Sequence, residues 1–109
     1  MRPPPSELTG SPNYPAVVSG EVMVMERPDF SRDVRDKIIV CRQTDPSWVP
    51  LLGLIKGLIV ERGGILSHAA IVCRELKVPS IIGVENATRL LRSGQRVTLD
   101  SAAGKVTLE

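Results

Sequence analysis

The chain has 109 residues, 42% of them hydrophobic, and carries 14 Lys and Arg against 12 Asp and Glu for a formal net charge of +2. That length builds one domain and not two; with a single Trp, Tyr and Phe, its buried interior has to come from Val, Ile, Leu and Ala. The charge is small and the basic residues are scattered without aromatic interleaving, which excludes a nucleic-acid-binding strip. The longest apolar window, Trp48 to Val60, is interrupted by Pro50, Gly53, Lys56 and Gly57, so it does not span a bilayer.

Residues 1–15 hold five of the nine prolines, Pro3, Pro4, Pro5, Pro12 and Pro15, among Ser, Gly and Asn. This composition favours extended, polyproline-like chain that buries little. A flexible tether is expected over 1–15 and a folded domain over 16–109. The start Met1-Arg2-Pro3-Pro4-Pro5 lacks the apolar stretch of a signal peptide. Cys41 and Cys73 show neither a Cys-x-x-Cys pattern nor a metal-ligand spacing, so two reduced thiols and a soluble, cytoplasmic setting are expected.

From Ala16 to Met25 the pattern predicts a strand with a bulge or turn at Ser19-Gly20. Lys37 to Arg42 and Gly57 to Val60 are short apolar runs of the buried-strand kind. Between them, Thr44-Asp45-Pro46-Ser47-Trp48 opens a short helix, with Asp45 as N-cap and Pro46 at the first helical position. Ser67 is placed to cap a helix from His68 to about Leu76, which Lys77 and Val78-Pro79 end. A strand over Ser80–Val84 and a short helix over Asn86–Leu91 follow. The chain closes on a hairpin, Gln95–Asp100 and Gly104–Leu108. Short strands alternate with short helices in the middle and β segments flank them, which predicts a compact α/β domain of β/β/α type with some parallel pairing.

The one histidine, His68, follows Gly63-Gly64-Ile65-Leu66-Ser67 and begins the predicted helix Ala69-Ala70-Ile71-Val72-Cys73-Arg74-Glu75-Leu76. Backbone N–H groups at a helix N-terminus attract phosphate, and a neutral imidazole is a nucleophile near neutral pH. Gly63 and Gly64 let the loop backbone approach a phosphate closely, Arg62 supplies a mobile guanidinium, and Glu61 is in position to orient Arg62 or to accept a hydrogen bond from the imidazole. Arg74 lies about 120° around the helix from His68; it meets phosphate from another domain or forms a structural ion pair. Cys73 and His68 point about 140° apart and do not converge on a metal. Taken alone, a histidine at such a place is also an ordinary capping or surface residue.

The run Gly63-Gly64-x-x-Ser67-His68-Ala69-Ala70-Ile71-Val72-x-Arg74-Glu75-Leu76-x-Val78-Pro79-Ser80-Ile81-Ile82-Gly83-Val84 resembles the swivelling phosphohistidine domain of the phosphoenolpyruvate-utilizing enzymes. That family includes phosphoenolpyruvate synthase (pyruvate, water dikinase), pyruvate, phosphate dikinase, the rifampicin phosphotransferases and enzyme I of the sugar phosphotransferase system. Thr44-Asp45-Pro46-Ser47-Trp48-Val49-Pro50-Leu51 and Gly94-Gln95-Arg96-Val97-Thr98-Leu99-Asp100 are similar to the phosphoenolpyruvate synthase and rifampicin phosphotransferase branches. The similarity spans roughly Val17 to Leu108.

The resemblance implies the swivelling β/β/α fold, with His68 as the phosphorylated residue and Gly63, Gly64, Ser67, Arg62 and Arg74 around the phosphate. Many members carry Thr, Ser or Asn where Leu66 stands, so control through a neighbouring hydroxyl is not implied here, and Cys73 replaces a small residue, usually Ala. It further implies a phosphoryl carrier moving between an ATP or phosphoenolpyruvate site and an acceptor such as pyruvate. The chain has no P-loop, no room for an ATP-grasp module and no metal-binding carboxylate cluster. ATP and Mg²⁺ are therefore expected on a partner ATP-grasp domain or protein, and the acceptor on another. A non-catalytic regulatory or interaction module that keeps the swivelling fold is the alternative.

Overall fold

The computed structural model describes residues 6–109. Eight strands form one mixed sheet in the order β1-β8-β7-β3-β4-β5-β6-β2. Its centre is parallel: β3 (Val17–Val24), β4 (Lys37–Cys41), β5 (Gly57–Val60) and β6 (Ser80–Ile82) run side by side in chain order. β7 (Arg96–Asp100) then returns antiparallel along the free side of β3, and β8 (Lys105–Leu108) closes the hairpin.

The two halves differ in sequence because they differ in burial. β4, β5 and β6 are covered on both faces, and their sequences read as unbroken apolar runs. β7 and β8 bury alternate residues only, Val97, Leu99 and Val106, with polar residues between them. Each central strand thus feeds two cores. One face gives Val22, Ile38, Val40, Ile59 and Ile81, which join Val97, Leu99, Val106 and Leu8. The other gives Met23, Ile39, Cys41, Leu58, Val60 and Ile82, on which the helices pack. There α1 (Val49–Leu52), reached through a 3-10 turn at Pro46–Trp48, buries Trp48, Leu51 and Leu52. α2 (His68–Leu76) contributes Ala69, Ala70 and Cys73 to the same core. α3 (Ala87–Leu90) goes to the opposite core, through Ala87 and the following Leu91.

Two expectations need correction. Of the expected tether, residues 1–5 lie outside the described residues, but β1 (Glu7–Thr9) pairs with β8 and β2 (Ser11–Pro12) pairs with β6. One short segment therefore holds both edges of the sheet. Edge strands offer unpaired N–H and C=O groups, and Leu8 inserts into the core, so this stretch is ordered despite its polar, proline-rich composition. Pro12 is tolerated because an edge strand does not need its N–H in every ladder position. At the kink the Gly10 N–H donates to the Gly104 carbonyl at 3.0 Å. A Cβ on Gly10 would lie 2.7 Å from Val84 and 2.8 Å from Ile81. The second correction is at Ser19-Gly20, where no bulge forms: Ser19 and Gly20 pair in unbroken register with Thr98 and Val97. Elsewhere the predicted elements stand within a residue or two, and β6 is cut to three residues by Gly83, which turns with φ +74.

Candidate phosphate site at the start of α2

β4 and β5 end next to each other, and the segments that leave them form the site. After β4 the chain runs through Gln43 and Thr44 to Asp45, whose carboxylate caps the 3-10 turn by accepting from the Ser47 N–H at 2.8 Å. After β5, Glu61 and Arg62 lead to Gly63, which has φ +109. Side chains are strongly disfavoured there, and a Cβ would also lie 2.9 Å from that of Ser67. Gly63 is needed to bring the chain round so that Ser67 can cap α2. The Ser67 N–H bonds the Gly64 carbonyl at 3.0 Å, and its hydroxyl accepts from the Ala70 N–H at 3.4 Å. The helix ends in a left-handed Lys77, whose N–H reaches the Cys73 carbonyl.

His68 is the first residue of α2 and is half-buried. Its Nδ1 lies 2.9 Å from the Thr44 hydroxyl. A cleft of about 170 Å³ opens on the ring, bounded by Gln43 and Thr44 on one side and Arg62, Gly63 and Ser67 on the other, with Ala69 behind. That volume suits a group of phosphate size and is well below what a drug-sized ligand occupies.

Of the residues singled out in the sequence, His68, Gly63, Ser67 and Arg62 meet at this cleft. Gly64 borders it without lining it, and a Cβ there would touch nothing within 4 Å. Arg74 is elsewhere. Its Nη1 donates to the Ile65 carbonyl at 3.0 Å and to Asn13 Oδ1 at 2.8 Å, so it braces the glycine loop from behind. It makes no ion pair among the described residues. Asn13 in turn donates to the Ala70 carbonyl and the Ser80 hydroxyl, at 3.0 and 2.8 Å.

Glu61 neither orients Arg62 nor receives the imidazole: its Oε1 accepts from the Thr88 N–H at 2.8 Å and from the Thr88 hydroxyl, and Oε2 lies 3.9 Å from Arg42 Nε. Burial works to raise the Glu61 carboxyl, but the Thr88 hydrogen bonds and the charges of Arg42 and Arg62 outweigh it and hold the group below its usual range. Thr44 is a site residue that the sequence does not single out: Thr44-Asp45-Pro46-Ser47-Trp48 signals a helix start and a family likeness, and nothing local points from Thr44 to His68. Leu66 is 82% exposed beside the loop. Cys41 and Cys73 are free and buried. Burial first, then Cys73 and Glu61, pushes the Cys41 thiol up to about 12, and burial pushes Cys73 up to about 11 against a hydrogen bond with Ser80. Neither is a thiolate near neutral pH.

Residues 34–104 match the family model of the PEP-utilising enzyme, mobile domain. The chain belongs to that family. It is 37% identical over 103 residues to a rifampicin phosphotransferase of Bacillus cereus, covering 94% of this chain and 12% of the relative. A probable phosphoenolpyruvate synthase of Staphylothermus marinus is 39% identical over 103 residues, with 91% of this chain and 12% of the relative covered. Such relatives therefore carry much further chain beyond the part that corresponds to this mobile domain. An Enzyme I protein solved by NMR in solution superposes with a TM-score of 0.59 and 27% identity, over 69% of this chain and 31% of the other. The mixed sheet with its few helices is the α/β swivelling domain. No helix among the described residues is long and apolar enough to cross a membrane.

Proposed function

We propose that this mobile domain is a phosphoryl carrier that is transiently phosphorylated on Nε2 of His68. The observation that carries the reading is the Thr44–His68 contact at the mouth of α2. With Nδ1–H donating to the Thr44 hydroxyl, the proton sits on Nδ1 and the lone pair is on Nε2. Nε2 attacks the phosphorus of a phosphoryl donor; the N–P bond forms as the P–O bond to the leaving group breaks, and the leaving group departs with that electron pair. Transfer to an acceptor oxygen runs the same exchange in reverse.

The N–H groups of His68 and Ala69, which open α2 and have no partner within the helix, belong to residues lining the cleft together with Arg62 and Ser67. Together they offset the charge of the bound phosphoryl group. Gly63 and the Arg74 brace keep that loop in shape. The donor is ATP or phosphoenolpyruvate on a partner domain of the ATP-grasp kind, where Mg²⁺ accompanies the nucleotide, and the acceptor is of the pyruvate type. The names of the relatives, a rifampicin phosphotransferase and a phosphoenolpyruvate synthase, support this class of chemistry. Such donors belong to the cytoplasm.

The test is label transfer. The chain is incubated with the remaining domains of a rifampicin phosphotransferase or phosphoenolpyruvate synthase and with labelled ATP or phosphoenolpyruvate. Acid-labile, base-stable label is expected on the chain and is expected to vanish in His68→Ala. Label that persists in His68→Ala excludes His68 as acceptor, and no label on the folded wild type returns the domain to a regulatory module.

A further inference from the structure

A second charged concavity lies outside the His68 cleft. The geometry points to a groove that binds the oligophosphate chain of a nucleoside triphosphate. It has a volume of about 460 Å³, and its walls include Arg27, Arg42, Arg89, Gln43, Thr88 and Glu26.

Three arginines line it from three separate places in the chain: Arg27 follows β3, Arg42 follows β4 and Arg89 belongs to α3. Their charges are only loosely answered. Arg27 and Arg89 form no ion pair among the described residues, and Arg42 Nε stands 3.9 Å from Glu61. Arg89 Nη2 is held by the neutral Asn86 amide at 2.9 Å. Glu61, meanwhile, gives its other oxygen to the backbone and hydroxyl of Thr88, which fixes α3 across the end of the sheet. Glu26 is the one carboxylate among the walls named here.

The position is also one at which a sheet of this kind offers a binding crevice. β3 to β6 advance in one direction, and the chain then passes over α3 to return on the far side of β3. The groove sits at the carboxyl ends of the parallel strands β3 and β4, against Thr88 and Arg89 of α3. Ligands bind open α/β sheets outside the carboxyl ends of the strands, and the volume is in the range of small-molecule sites. Several arginines that can each engage phosphate oxygens in pairs suit an oligophosphate. Gln43 lines both this groove and the His68 cleft, so the triphosphate of a nucleotide presented by the partner domain lies adjacent to the nucleophile when it is gripped here. This deepens the carrier reading, on which the adjacency to a reacting phosphorus rests; the binding itself does not.

The test follows backbone amides of the isotopically labelled chain by NMR during titration with sodium tripolyphosphate, ATP or phosphoenolpyruvate at constant ionic strength. Saturable shifts at Arg27, Gln43 and Thr88 are expected with tripolyphosphate and ATP. They are expected to weaken about tenfold in affinity in Arg42→Gln and again in Arg89→Gln, and to survive in His68→Ala. Shifts that are unchanged in both arginine variants, or reproduced by sulfate, overturn the proposal. So do shifts produced by phosphoenolpyruvate and not by tripolyphosphate. Groove binding that persists while no label reaches His68 leaves this inference standing and sinks the carrier reading alone.

Discussion

Two neighbouring glycines should respond in opposite ways to the same substitution. In Gly63→Ala the new side chain has to occupy φ +109, which costs of order 1–3 kcal/mol. Its Cβ also falls 2.9 Å from Ser67 Cβ and 3.0 Å from Ser67 Oγ. Displacing Ser67 loosens the α2 cap, worth about 1 kcal/mol. The sum is a loss of about 2–4 kcal/mol, or roughly 10–20 °C in melting temperature for a domain of this size. Gly64 has no positive φ, and a Cβ there meets nothing within 4 Å. Gly64→Ala is expected to be neutral or to stabilise by about 0.4–1 kcal/mol through the unfolded chain. Thermal and urea unfolding followed by circular dichroism read both values. Equal losses in the two variants, or an unchanged Gly63→Ala, would refute the reasoning.

Gly10→Ala should destabilise by about 1–3 kcal/mol or more, because the Cβ would press on Val84 and Ile81 where the N-terminal segment joins the sheet edges; urea unfolding measures it, and a neutral result would show that β1 and β2 do not hold those edges. Thr44→Val removes the hydroxyl bonded to His68 Nδ1 and should slow label transfer by roughly tenfold, the worth of about one such bond, with little change in melting temperature. An unaffected rate would remove Thr44 from the site. Glu61, whose carboxyl is held below its usual range, contributes stability above the unfolded carboxylate pKa, and that contribution is lost as pH falls through the lower folded value. Glu61→Gln should therefore flatten the acid side of the stability curve, measured as urea midpoints from neutral pH downward; a curve as steep as that of the wild type would place the acid sensitivity on other carboxylates.

The local part of this site was legible in the sequence because its signals are local. Ser67 before a helix-forming stretch and Lys77 before Val78-Pro79 set both ends of α2, and the paired glycines gave the turn that precedes it. The apolar runs at β4 and β5 read as buried strands because both faces are covered. What was not legible depends on contacts between distant positions. Glu61 sits one residue from Arg62, yet its partners are Thr88 and Arg42. Arg74 braces the loop through Ile65 and through Asn13, 61 residues away in sequence. Thr44 reaches His68 only because β4 and β5 pair in parallel and end together. The N-terminal segment misled for a related reason. Its composition argues against a core of its own, but its order comes from the vacant edges of β6 and β8, which no local pattern shows.

The most direct measurement of the central claim is the phosphorus and nitrogen NMR spectrum of the chain trapped after transfer from donor. A phosphoramidate resonance coupled to Nε2 of His68, with Nδ1 protonated and still bonded to Thr44, is the predicted result. Phosphorus on Nδ1, or on any other residue, would contradict it.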